Sequence, residues 1–167
     1  MSLLLNGAKT VTIAGTRMKC LEIYTGEAYT LPLNFTDGGG NPINANLPAP
    51  WNISASPKYY TVDTVEYTTN ELNEEEVLLG NLALVDPQPL ATDYTVTADW
   101  IDRANGTGYL YIGDDLTGNA STPTVSLANS TDNTVLVVVT ITITRESEAG
   151  AFNDVSREPL GFIVRYQ

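Results

Sequence analysis

The sequence predicts an all-β fold: a single antiparallel β-sandwich, immunoglobulin-like or jelly-roll-like, with a long decorated loop region in the middle of the chain. Three observations carry this. Apolar and polar residues alternate with period two along much of the 167-residue chain, the repeat of a half-buried strand. The alternating runs are short and bounded by Gly, Asn, Asp and Pro clusters, which gives roughly seven to nine strands at sandwich-like spacing. Charged residues make up only 17%, and Thr, Asn and Ser supply the polar faces in their place. The length suits one domain, and neither a repeat nor a linker divides residues 1–167.

The elements follow in order. The opening MSLLLNGAKT has three leucines but no basic n-region and no long apolar core. It is read as an extended N-terminal arm over residues 1–10, not as a signal peptide or membrane anchor. In VTIAGTRMKCLEIYTG the apolar positions are Val11 and Ile13, then Cys20 or Leu21, and Ile23. Tyr29, Leu31, Leu33 and Phe35 share one face of the next strand. Pro32 lies on its other face and has no ladder donor, which places it at an edge or away from a partner. Trp51 and Ile53 begin a further extended piece, and YYTVDTVEYTT continues in the same texture.

ELNEEEVLLGNLALVDPQPLATD leaves two readings open. One is a helical turn opening at Asn73, where early glutamates suit the helix dipole. The other is a strand from Val77 to Val85 broken at Gly80. YTVTADWI and GYLYIGDDL are strands separated by DRANGTG, whose Asn-Gly signals a tight turn. A Gly/Asn/Ser/Thr/Pro-rich loop runs from Thr117 to about Asn133. TVLVVVTITITR is the strongest strand: Val135, Val137, Val139, Ile141 and Ile143 line one face. Leu136 and Val138 begin the other face, which turns to Thr140, Thr142 and Thr144, so one end is buried on both sides and the other is wet. PLGFIVRYQ closes the chain as a final strand.

Composition removes several functions. Eight basic against twenty acidic residues give a net charge of −12, and the basic ones form no patch. Nucleic acid and anionic membrane surfaces are therefore not expected partners, because such binding rests on clustered Lys and Arg. Histidine is absent, which removes the commonest general base and metal ligand. Cys20 is the single cysteine; it excludes an intrachain disulfide and reads as a small apolar residue. Five Asn-x-Ser/Thr triplets, at Asn34, Asn52, Asn105, Asn119 and Asn129, reflect the composition.

Gly38-Gly39-Gly40 lacks the Lys-Ser/Thr and following helix of a phosphate loop. With Asp37 before it and Asn41-Pro42 after it, the run is turn chemistry. The acidic groups are Glu74-Glu75-Glu76, Asp99 and Asp102 around Trp100, and Asp114-Asp115. A carbohydrate-binding or carbohydrate-cleaving sandwich would use Trp100 and the Tyr109/Tyr111 pair beside Asp114 and Asp115. A calcium ion at Asp114 or Asp115 lacks the full loop spacing. No catalytic set, metal site or cofactor site is assigned.

The stretch GEAYTLPLNFTDGGGNPIN, with Gly26, Glu27, Tyr29, Leu31, Leu33, Phe35, Asp37, Gly40, Pro42 and Ile43, then Trp51, resembles the N-terminal module of tailed-phage baseplate upper and tail-fibre adaptor proteins. GTGYLYIGDDL and the terminal EPLGFIVRYQ resemble later strands of that module. The resemblance covers most of the chain in outline and rests on strand and turn patterns. It implies a β-sandwich that docks in a virion, often as a trimer, without enzymatic activity. Members commonly continue into a linker and receptor-binding region, whereas this sequence stops at Gln167. The expected function is that of a structural virion protein in the tail or baseplate, assembled in the host cytoplasm, with other virion proteins and further copies of itself as partners. Capsid decoration is the alternative. Symmetric assembly would place Tyr24, Trp51, Tyr59, Tyr60 and Tyr67 at subunit contacts; packing in the core or across strands is the competing role for the same rings.

Overall fold

The computed structural model describes residues 2–4, 9–13, 15–24, 26–47, 50–114, 134–146 and 153–165. Among these residues the strands are β1 (Ser2–Leu4), β2 (Lys9–Ile13), β3 (Thr16–Tyr24), β4 (Tyr29–Thr36), β5 (Asn52–Val62), β6 (Thr64–Thr69), β7 (Glu75–Gly80), β8 (Ala83–Leu84), β9 (Val96–Asp102), β10 (Thr107–Ile112), β11 (Thr134–Glu146) and β12 (Asn153–Arg165). They form a four-stranded sheet, β1-β4-β10-β9, and an eight-stranded sheet, β6-β7-β2-β3-β12-β11-β5-β8. The protein is an all-β sandwich, as the alternation predicts. The larger sheet is mixed, because β12 runs parallel to β3 and β2 runs parallel to β7. Local alternation carries no information on strand direction, so the sequence could not reveal these two pairings.

The larger sheet curls. β5 and β6 lie six places apart in its strand order, yet only Asp63 separates them in the chain. A flat sheet would put them about 29 Å apart at roughly 4.8 Å per strand. Two peptide steps reach at most about 7.6 Å. The β6-β7-β2-β3 side must therefore fold back over β12, β11 and β5.

This creates two cores. The first lies between the sheets and holds Leu33, Phe35, Trp51, Tyr59, Trp100, Leu110, Phe162 and the odd-numbered residues of β11 from Val135 to Ile143. The second lies inside the curl and holds Val11, Ile13, Met18, Cys20, Val62, Val77, Leu136, Val138 and Ile163. β11 feeds both, and Thr140, Thr142 and Thr144 on its second face are only half-buried. The two-sided burial read from its pattern is what the strand shows. β3 and β12 part at Pro159, since their pairing covers only Leu160–Arg165 of β12.

Local chemistry explains the turns. The Asp37 carboxylate accepts the Gly39 and Asn41 amides at 2.9 Å each, and Gly40 takes φ 81°. The glycine run is thus a closed turn after β4. At Pro32 the second side of β4 has no strand partner among the described residues, where β1 pairs with Asn34–Thr36, and a residue without an N–H is tolerated there. The Asn73 segment is not helical. Asn70 Oδ1 accepts the Leu72 and Glu74 amides, and Asn73 is left-handed at φ 59°, so a turn leads directly into β7. β7 ends at Gly80, where the strand reading placed its break. The residues read as an N-terminal arm contribute β1, which pairs with β4, and the start of β2. The Thr117–Asn133 loop lies outside the described residues.

Candidate functional site

Two of the five tyrosine and tryptophan positions assigned to subunit contacts are inside the core. Trp51 is buried; its indole N–H donates to the Leu47 carbonyl at 2.9 Å, and its own carbonyl accepts the Trp100 indole N–H at 3.0 Å. Tyr59 is buried against Tyr94, with ring centroids 5.2 Å apart. Tyr59 lies on the inward parity of β5, and Trp51 continues that parity one residue before the strand begins, so neither ring stands on the outer surface of the sheet. Tyr60 packs half-buried on the second core. Tyr24 and Tyr67 remain exposed.

Tyr67 is the centre of a polar cluster that sequence reading missed. Its hydroxyl donates to Glu22 at 2.6 Å and accepts from Arg165 Nη2 at 3.0 Å. Arg165 Nε also donates to Glu22, and the Lys9 ammonium sits 3.9 Å from the Tyr67 ring centroid. Residues from β2, β3, β6 and β12 meet here, so the cluster fastens the curled flank to the rest of the sheet. Burial alone would raise the Glu22 carboxyl, but the hydrogen bonds from Tyr67 and Arg165 and the Arg165 charge outweigh it and hold the group below the usual carboxylate range. Beneath the cluster is a cavity of about 270 Å³ lined by Cys20, Leu21, Val77 and Ile163. Burial, with Glu22 adding to it, pushes the Cys20 thiol up to about 12, so it stays protonated. Glu22 and Arg165 are 143 positions apart, and no local signal links them.

The sugar-binding constellation does not converge. Trp100 points into the sandwich, edge-on to Phe35 at 5.6 Å. Leu110 and Ile112 on β10 also point inward, so Tyr109 and Tyr111 face out on the opposite side of the same sheet. Asp114 is exposed, and Asp115 lies outside the described residues. No group of three or more His, Cys, Asp or Glu that could hold a metal occurs among the described residues.

A second cavity, of about 320 Å³, opens at the mouth of the sandwich. The turn at Asp37-Gly38, with Ile43 and Trp51, supplies lining residues from one side, and Ile143, Arg145, Val155 and Ser156 supply them from the ends of β11 and β12. The Arg145 guanidinium lies 5.3 Å from the Trp51 ring centroid. The lining of the mouth is largely apolar, with the Asp37 carboxylate and the Arg145 guanidinium as its charged members. The glycine turn lines a cavity at Gly38, and the Gly39 and Gly40 amides donate to Asp37. No protein-family model matches the chain, and no curated protein matches it.

Proposed function

We propose that the chain is a structural protein of a tailed-bacteriophage virion, acting in the tail or baseplate as an adaptor or fibre-forming subunit through contacts with other virion proteins and with copies of itself. The outer surface carries this reading. Leu47, Leu72, Leu90 and Ile101 stand on turns and an edge strand at 63% to 74% exposure, the positions at which a partner would cover apolar surface. The resemblance of the Gly26-to-Trp51 stretch supports the tail position and favours a trimer.

Gold-labelled antibody against the purified chain, applied to particles purified from cells that express it, tests this. Label on the tail or baseplate is the expected result. Label on the head moves the chain to capsid decoration, and no label on any particle removes the virion reading. A second reading, carbohydrate binding, is favoured only by the outward pair Tyr109 and Tyr111. Saturable glycan binding lost in Tyr109→Ala would establish it.

A further inference from the structure

We propose that the sandwich stacks on copies of itself, with the outer face of the four-stranded sheet of one copy against the open part of the eight-stranded sheet of the next. This deepens the self-contact half of the reading above and rests on it. A contact between opposite faces of one molecule does not close on itself, so copies add in an open row, the geometry of a fibre.

The two faces lie on opposite sides of the sandwich. Ile141 and Ile143 of β11 are buried between the sheets, and successive strand residues point to opposite faces. Thr140, Thr142 and Thr144 therefore point away from the four-stranded sheet. The curled flank covers this second face at Leu136 and Val138. Further along, Ser54 and Ser56 on β5 and Arg157 on β12, in register with these threonines, are exposed.

On the other side, β10 turns Tyr109 and Tyr111 outward. Tyr109 lies in register between Pro32 and Asp99, and Tyr111 between Thr30 and Thr97. All four flanking residues are exposed, and Ile101, next outward on β9, is 67% exposed. Outward tyrosines against rows of hydroxyls make the kind of contact in which aromatic residues are enriched and charges are few.

Charge complementarity selects the pairing. In a chain of net charge −12, the open part of the larger sheet carries Lys58 and Arg157 and no acidic side chain among the described residues. Lys9, Arg17 and Arg165 are each paired with glutamates, whereas Lys58 and Arg157 have neither an ion pair nor a hydrogen bond among the described residues. The aromatic face carries Asp99 and no basic side chain among the described residues. One Asp99 oxygen accepts the Trp100 N–H at 2.8 Å, and the residue stays exposed. Asp102 instead accepts from Ala104 and Asn105 within its own turn. Either face against itself would bring like charges together, and only the mixed contact joins opposite ones. From the Lys58 row to the Thr144 row, three strands wide, the open face measures about 14 Å by about 27 Å. That is small for a specific interface, so the association is weak and concentration-dependent.

Sedimentation equilibrium of the full chain at low salt tests this. The weight-average mass is expected to pass that of a dimer as the protein approaches about 1 mM, and to fall back as added salt screens the contact. Lys58→Glu/Arg157→Glu and Asp99→Lys should each weaken association by about tenfold or more. An equal mixture of these two variants should associate again, because each reversed face meets its complement on the other protein. Lys19→Glu alters an exposed cation on neither face and should change association by less than about twofold. Circular dichroism matching the parent shows that each variant folds. A monomer at about 1 mM, a dimer that stops growing, association unmoved by the Lys58/Arg157 variant, or a mixture no better than its parts overturns the proposal. These results come from the purified chain and the antibody labelling from particles, so the two readings fail separately.

Discussion

Leu136 and Val137 are neighbours on β11, both 0% exposed, and they point into different cores. In a plain two-layer sandwich Val137 would face the partner sheet and Leu136 would face water. The curl predicts instead that Leu136→Ala empties a well-packed site. Leu-to-Ala changes in such sites cost about 3 to 5 kcal/mol, the transfer of the lost atoms plus the residual cavity. Val137→Ala removes fewer atoms and should cost about 2 to 3 kcal/mol. For a 167-residue chain each kcal/mol lowers Tm by about 2 to 4 °C, so Leu136→Ala should fall by at least about 6 °C. Thr142→Ala, on the half-buried end of the same face as Leu136, is the control and should change stability by about 0.5 kcal/mol or less. Urea unfolding followed by circular dichroism, with calorimetry as a check on two-state behaviour, supplies the values. A Leu136→Ala cost near that of Thr142→Ala, beside a large cost for Val137→Ala, would mean that the β6-β7-β2 flank does not cover this face.

Cys20 should resist a thiol reagent at pH 8 in the native state, because burial keeps it protonated; Tyr67→Phe, which removes the hydroxyl from the Glu22–Arg165 cluster, should speed labelling. Equal rates in both proteins would show that the cluster does not hold the flank closed. For pH, Glu22 has a lowered folded value, so its contribution is present above the ordinary carboxylate range and lost as pH falls through the lower folded value. Glu158 is raised by burial, so its contribution is favourable at low pH and lost as pH rises through the raised value. Glu158→Gln should therefore raise Tm at pH 7 and leave it unchanged near pH 3, while Glu22→Gln should lower Tm at pH 7; the reverse pattern in calorimetric scans would contradict both assignments. At Gly106 the backbone is left-handed at φ 64°, and an added Cβ would sit 2.7 Å from Ile43 Cγ1 and 2.9 Å from the Ile43 and Phe35 carbonyl oxygens. Gly106→Ala should cost more than about 2 kcal/mol in urea unfolding, and a loss below about 0.5 kcal/mol would show that the β9–β10 turn can shift.

Much of the fold was legible because strand burial is written locally. The switch on β11 from Leu136 and Val138 to Thr140, Thr142 and Thr144 announced burial on both faces at one end, and the second core supplies the cover. The Asp37-to-Asn41 turn was legible for a similar reason: its chemistry is complete within five residues. The Asn73 segment stayed open because early glutamates suit a helix and an Asn-led turn equally well. Only the Asn70 side chain, bonded to two nearby amides, decides for the turn.

The candidate site was far less legible. Trp51, Tyr59 and Trp100 carry the same ring chemistry as Tyr67 and Tyr109, and residue type cannot tell an inward ring from an outward one. By itself the sequence determined a β protein with an acidic surface, its main strands and its turns, because period two and turn chemistry are properties of neighbouring residues. Only the tertiary structure decided the two parallel pairings, the curl that brings β6 back beside β5 and the Glu22–Tyr67–Arg165 cluster. Those depend on which faces of distant strands fit against one another, and alternation along one strand says only that a face is apolar, not what will cover it.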